Sequence, residues 1–126
     1  MKYEEFIAQV AQNAELSEED AATLTRATLS TLAERISGGE ARDLAAQLPA
    51  PLKTALISPH ENAEAFSVKE FVERTAERAD TDPDVAAVAI DAVLATLRDA
   101  VTPGEFDDVL SQLPADFHRL GASWPP

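Results

Sequence analysis

Apolar residues recur at intervals of three and four along most of this chain, which is the spacing of helices that bury one face. The first such segment runs from Tyr3 to Ala14. Its apolar positions are Phe6, Ile7, Val10, Ala11 and Ala14. A second segment extends to about Ile36, and Ser17 with Asp20 three residues later resembles the capping box that opens a helix. The pattern therefore predicts two consecutive amphipathic helices.

A shorter segment comes next and is repeated later in the chain. It runs from Ser37 to Pro49 and returns, 65 positions later, from Thr102 to Pro114. The same offset aligns Phe6 with Phe71 without a gap. Self-similarity at a fixed period indicates that one structural unit has been written twice.

Each copy of this segment carries the same signal for the start of a helix. Ser37 and Thr102 are small hydroxyl residues of the kind that cap helices. Glu40 and Glu105 follow three positions later, where a glutamate can accept a hydrogen bond from the amide of the capping residue. We therefore expect both glutamates to form the second half of a capping box.

The rest of the chain predicts further helices. Residues 51–57 are apolar enough for a short fourth helix, and residues 58–66 lack a sustained apolar period, which is typical of a linker. Ser67 and Glu70 form a full capping box that opens the next helix. Asp82, followed by a proline at the first helical position, is expected to cap the long helix after it.

These elements predict an all-α fold, a helical bundle built from two pseudo-symmetric three-helix repeats. The chain is expected to form a single domain, because neither repeat buries its apolar face alone. The expected divisions are repeat one at 1–57, a linker at 58–66, repeat two at 67–120 and an irregular tail at 121–126.

The repeated run also resembles a known family. The run from Ile36 to Pro49, preceded by Tyr3-Glu4-Glu5-Phe6 and by the segment from Ala27 to Arg35, is similar to small prokaryotic proteins catalogued as domain of unknown function 2267. The likeness covers nearly the whole chain, including the second copy. It implies a two-repeat helical protein of bacteria or archaea, and it carries no activity, ligand or catalytic residue with it.

The composition narrows the classes of partner and site. The chain holds 10 Lys and Arg residues against 23 Asp and Glu residues, a net charge of −13. Such a surface repels nucleic-acid phosphates and anionic lipids, so neither is an expected partner. The absence of cysteine excludes disulfides and thiolate metal sites. The acidic start and the lack of a run of about 18 apolar residues predict a soluble, cytoplasmic protein.

The candidate metal ligands are weak. Residues Asp80 to Asp84 place acids at alternate positions, as in a calcium loop, but Val85 stands where such a loop needs glycine, so helix capping is favoured. His60 and His118 lack the glutamate three residues earlier that a di-iron bundle uses. The sequence therefore predicts no metal site and no cofactor.

Paired carboxylates are the remaining candidates for catalysis. Glu40 with Asp43, and Glu105 with Asp108, lie one helical turn apart and could in principle do acid and base work. That reading requires the pairs to converge in a concave site. Because the glutamates already have an expected capping role, the sequence predicts no catalytic residue and no enzyme.

Three further polar or aromatic residues stand out. Gln47 and Gln112 each precede a Leu-Pro pair, and we expect their amides to bond to the exposed carbonyls of their own helix end or the next turn. Trp124, in a proline-rich end, is expected to fold back on the bundle or to anchor a partner.

The leading functional prediction is a non-catalytic protein-interaction or accessory module, whose partner is another protein or a second copy that forms a homodimer. Its expected interaction surface comprises Glu40, Asp43, Gln47, Glu105, Asp108, Gln112 and Trp124. The alternative is a binder of a small apolar or cationic ligand in the cleft between the repeats. The residues expected to line that cleft are Leu29, Leu32, Phe71 and Leu94.

Overall fold

The computed structural model describes residues 1–58 and 60–117, and every regular element in those ranges is helical. The predicted all-α class is confirmed. The helices are α1 (Tyr3–Ala14), α2 (Glu18–Arg35), α3 (Gly38–Ala46), α4 (Ala50–Lys53) with a 3-10 turn (Thr54–Leu56), α5 (Val68–Ala79), α6 (Pro83–Ala100) and α7 (Pro103–Ser111).

The helix bounds repeat along the chain. Helices α5, α6 and α7 begin and end 65 residues after α1, α2 and α3, respectively. The residues that end α1 and α5 also correspond, because Glu15 and Asp80 both adopt the left-handed conformation, with φ of 55° and 52°. The period read from the sequence therefore extends to where each helix starts and stops.

Helices α2 and α6 form the centre of the fold. They pack against each other, and α1 and α5 each pack against both of them. Ala21 and Ala86, at equivalent positions of α2 and α6, are fully buried, and such small side chains let helices approach closely. Around them lie larger side chains with no exposed surface. These include Phe6, Leu29, Leu32, Phe71, Ile90, Leu94 and Phe117.

Hydroxyl caps fix several of the helix starts. Ser17 Oγ accepts a hydrogen bond from the Asp20 amide at 3.1 Å, and Ser67 Oγ accepts one from the Glu70 amide at 3.2 Å. Both predicted caps are confirmed. Two details differ from the prediction: the Glu70 carboxylate pairs with Arg74 instead of returning to the cap, and Asp82 occupies the N-cap position of α6 without a side-chain bond to the helix.

The predicted fourth helix is shorter and less regular than expected. One α-helical turn, α4, leads directly into the 3-10 turn. Leu52 and Leu56 are buried there, whereas Ile57 is 73% exposed and packs on nothing that would extend the helix. The apolar spacing therefore identified the segment, although it did not fix the helix length.

The segment expected to act as a linker contains no helix in its described residues. It is nevertheless held in place by backbone bonds. The Gly38 amide donates to the Glu61 carbonyl and the Glu64 amide to the Glu34 carbonyl, each at 2.9 Å. The Arg35 Nε donates to the Phe66 carbonyl at 3.0 Å. These bonds tie the segment to the end of α2 and the start of α3.

No helix within the described ranges combines the length and the apolar character needed to cross a membrane.

Candidate functional site

The starts of α3 and α7 lie against each other and form what we call the α3–α7 junction. At α3, Ser37 Oγ accepts a hydrogen bond from the Glu40 amide at 3.1 Å. At α7, Thr102 Oγ1 accepts one from the Glu105 amide at 3.3 Å. Both predicted hydroxyl caps are confirmed, and they position the glutamates in the first turn of their helices.

The amides of the two capping residues are bound across the junction. The Ser37 N–H donates to Gln112 Oε1 at 2.7 Å, and the Thr102 N–H donates to Gln47 Oε1 at 2.8 Å. Each glutamine amide nitrogen also donates to the hydroxyl of the same cap, at 3.3 Å for Gln112 and 3.4 Å for Gln47. Each half of the chain therefore supplies a side-chain cap to the short helix of the other half.

This exchange corrects two predictions. Gln47 and Gln112 do not satisfy the carbonyls of their own helix ends, because their amides reach the opposite helix start instead. Glu40 and Glu105 do not bond to the cap amides, because the glutamines already occupy those donors. The carboxylates are thus released from the capping role that the sequence assigned to them.

The released carboxylates meet at the junction. Carboxylate oxygens of Glu40, Asp43 and Glu105 all lie within 4.8 Å of one another, and we call these three residues the carboxylate cluster. Asp108 is close enough for its charge to act on Glu105. The convergence that an acid–base or cation site requires is therefore present, although it joins the two halves and not the pairs within one helix.

Burial within the cluster is unequal. Glu105 is 8% exposed and Glu40 is half-buried, whereas Asp43 and Asp108 are exposed. The Oε2 atoms of both Glu40 and Glu105 are buried and have no hydrogen-bond partner. Buried polar atoms are normally paired, so two orphaned oxygens at one junction mark an unusual site.

The cluster also changes the acidity of Glu105. Burial is the main cause, followed by a hydrogen bond with Glu40 and by the negative charges of Glu40, Asp43 and Asp108, and together they raise the pKa of Glu105 to about 8. At neutral pH the two glutamates therefore share a proton. No ion pair among residues 1–58 and 60–117 includes a member of the cluster, so no described basic side chain offsets its charge.

Comparison with known proteins adds the family. The family described as Uncharacterized conserved protein (DUF2267) matches residues 3–120. The chain belongs to the DUF2267 family. This confirms the resemblance that the repeated run suggested, and it assigns no activity. No curated protein matches the chain.

A second polar cluster in this DUF2267 protein joins α2, α5 and the segment between the halves. Arg74 pairs with Glu34 at 3.2 Å, Glu64 at 3.5 Å and Glu70, and its guanidinium stacks over the Phe66 ring at 3.9 Å from the centroid. Every charge here has a partner. The arrangement therefore holds the segment against the bundle and leaves no free group for a ligand.

Glu34 is shared by two arginines of that cluster. Arg78 lies at 2.8 Å, and its hydrogen bond is the main cause that lowers the pKa of Glu34, outweighing burial, which raises it. Arg78 also donates to the Thr31 hydroxyl at 2.8 Å. Sequence reasoning did not identify this network, because its members lie 31 to 47 positions apart with no motif that links them.

The remaining candidates from the sequence do not gather into a site. Asp80 ends α5 and Asp82 precedes α6, and the described acids that come close enough to hold an ion are those of the carboxylate cluster. His60 is exposed. His118 and Trp124 lie outside the described residues.

The pairing of Glu40 with Glu105 is the functional feature that sequence reasoning missed. Those two positions were identified, but only as partners of residues in their own helix. The signal that could have found the pair is the period itself, since equivalent residues near a twofold axis approach each other. Gln47 and Gln112, at equivalent positions in a polar pattern, carry the same signal.

Proposed function

We propose that this DUF2267 protein is a non-catalytic binding module that binds a positively charged ligand at the α3–α7 junction. The observation that carries the proposal is the convergence of Glu40, Asp43 and Glu105 without a described basic partner. The candidate ligands are a metal ion, a polyamine, and a basic segment of another protein or of a second copy of the chain. The net charge of −13 attracts such cations over a longer range.

The proposal includes a pseudo-twofold relation between two three-helix repeats. It is supported by the constant offset of 65 residues between helix bounds and by the exchange of Gln47 and Gln112. Under such an axis, Glu40 and Glu105 would meet because they are equivalent residues close to it. The cluster is then a product of the duplication and has no counterpart in a single repeat.

A binding role fits the cluster better than catalysis. The group consists of carboxylates alone, and the nearby hydroxyls of Ser37 and Thr102 are engaged as helix caps. A hydrolytic site would need an activated nucleophile or a positioned water together with an acid of suitable pKa. The raised pKa of Glu105 supplies only the last of these.

The alternative of an apolar ligand between the halves gains no support from the core. Leu29, Leu32, Phe71 and Leu94 are each 0% exposed, so no space as large as a water molecule adjoins them. A ligand there would have to push closely packed side chains out of their preferred rotamers, which destabilises the fold. The binding surface is therefore placed at the junction and not in the interior.

The test is native mass spectrometry of the protein purified gently from its own source. We expect extra mass on the wild-type chain, from a metal ion, an organic cation or a second chain, and its loss from the E40Q/E105Q variant. The control is E73Q/E77Q, which makes the same charge change at exposed positions of α5. A ligand retained by E40Q/E105Q, or a bare wild-type chain, would contradict the proposal.

A further inference from the structure

We propose that a divalent metal ion of the calcium type binds to Glu40, Asp43 and Glu105, with at least one carboxylate oxygen from each. This inference rests on the proposed function, because it names the positively charged ligand of the α3–α7 junction. It adds the chemical class of that ligand and the side chains that contact it. Those side chains come from α3 and α7, so the ion would join the two halves of the chain.

The spacing of the cluster suits an ion of this size. Two oxygens bound to one ion cannot be further apart than twice the metal–oxygen distance, which is about 4.6–5.2 Å for Ca²⁺ and about 4.0–4.2 Å for Mg²⁺. The cluster oxygens lie within 4.8 Å of one another. They can therefore bind Ca²⁺ without rearrangement, whereas Mg²⁺ would require them to move closer together.

The buried oxygens point to an occupant that accepts their lone pairs. Glu105 is 8% exposed, its carboxyl faces that of Glu40, and its Oε2 has no hydrogen-bond partner. The Oε2 of Glu40 is buried and unpartnered as well. A bound cation would satisfy both atoms at once, which a single shared proton does not do.

The donor set selects for a hard cation. All three side chains offer oxygen, and neither a sulfur nor an imidazole nitrogen belongs to the group. Carboxylate oxygens favour Ca²⁺, Mg²⁺ and Mn²⁺ over softer metals. Asp43 is exposed, so the open side of the site leaves room for the waters that complete a coordination shell of six to eight.

No described ion pair competes for these oxygens. Arg42 is the nearest basic residue along α3, but its guanidinium pairs with the Glu61 carboxylate at 2.7 Å. Asp108 is exposed and adds negative charge beside the cluster without being one of its members. The local field therefore favours a cation of charge two over a monovalent one.

The test is isothermal titration of the chelator-treated full chain with calcium, magnesium or manganese chloride alone. We expect saturable binding of one Ca²⁺ per chain, weaker binding of Mg²⁺, and a rise in Tm when about 5 mM Ca²⁺ replaces the chelator. No saturable heat with any of the three salts would overturn the inference.

Matched variants locate the site. D43N changes an exposed side chain and E40Q a half-buried one, and we expect each to weaken Ca²⁺ affinity at least tenfold. E73Q, an exposed glutamate on α5, should bind Ca²⁺ like the wild type. Far-UV circular dichroism checks that each variant is folded, and D43N keeps the test decisive if E40Q is not. Equal affinity in wild type, D43N and E40Q would overturn the assignment.

The outcomes separate this inference from the proposed function. If no salt binds, but native mass spectrometry still finds a polyamine or a basic chain that E40Q/E105Q loses, the metal assignment is wrong and the binding module stands. If neither measurement finds a ligand that depends on the cluster, both are wrong.

Discussion

Glu40 and Glu105 occupy equivalent positions in the two copies, yet their surroundings differ. Glu105 is 8% exposed and Glu40 only half-buried, and it is Glu105 whose pKa rises to about 8. Two neighbouring carboxyls that are equal by sequence are thus made unequal by burial. The more buried of the two holds the shared proton, because desolvation disfavours its charged form.

This proton predicts a dependence of stability on pH. Native Glu105 keeps its proton up to about pH 8, whereas the unfolded residue releases it near 4.5. Between these values the native state binds more protons, so its stability is full below pH 4.5 and falls as the pH rises towards 8. We expect E105Q, measured in chelator by urea unfolding, to gain stability over the wild type by up to about 1.4 kcal/mol per pH unit across this window.

The control for this measurement is E73Q, whose glutamate is exposed. Its unfolding free energy should differ from that of the wild type by a nearly constant amount over the same pH range. Parallel curves for E105Q and the wild type would show that Glu105 titrates normally.

At the scale of the elements, the short helices α3 and α7 depend on each other for their caps. Replacing Gln112 by alanine leaves the Ser37 amide without an acceptor in a partly buried position. We expect Q112A to lower the free energy of unfolding by about 1–2 kcal/mol. Q47A should cost less, because its bond to the Thr102 amide is exposed.

The matched control for both variants is Q12A, which makes the same replacement at an exposed position of α1. Chemical denaturation of the wild type and the three variants gives the comparison. If Q112A is no less stable than Q12A, the exchanged caps contribute nothing to the junction.

The interface between α2 and α5 predicts an asymmetry between two equivalent threonines. Thr31 Oγ1 accepts hydrogen bonds from Arg78 at 2.8 Å and from the Thr75 hydroxyl at 3.2 Å. Thr96, 65 residues later, donates to the Ala92 carbonyl of its own helix, at 2.8 Å. We expect T31V to lower the free energy of unfolding by about 1–2 kcal/mol, and T96V by under about 1 kcal/mol.

Thermal or urea unfolding of the two variants tests this difference, and T96V serves as the internal control, since both changes remove one buried hydroxyl. Equal losses of stability would mean that the bonds from α5 add nothing beyond the bond within each helix.

Most of the elements were predictable because their signals are local. The start of α1 at Tyr3, its end at Ala14, and the hydroxyl caps at Ser17, Ser37 and Thr102 follow from spacing and from residue type. The fourth helix was less predictable, because one buried face of four to seven residues does not decide between α and 3-10 geometry.

At the scale of the whole molecule, the site was only half predictable. The residues of the carboxylate cluster were identified, but their partners were sought within one helix. Which distant acceptor a backbone amide takes is decided by tertiary packing, and one sequence does not contain that information. Gln112 therefore replaced Glu40 as the acceptor for the Ser37 amide, and the role of Glu40 changed with it.

The duplication also shapes how charge is distributed over the whole molecule. Repeating an acidic segment doubles its charge, and packing the copies face to face places Glu40 and Glu105 together. Elsewhere the protein pairs its partly buried charges, as at Arg74 with Glu34. The junction is the place where like charges are brought together, which is why the proposed ligand is sought there.

The exchanged glutamines also bear on how long the folded protein lasts. They join residues 75 and 55 positions apart, so their bonds close only after most of the chain is in place. Interactions that form after the folding barrier slow unfolding and leave the folding rate nearly unchanged. We therefore expect the lifetime of the native state, and not the speed at which it forms, to depend on these two side chains.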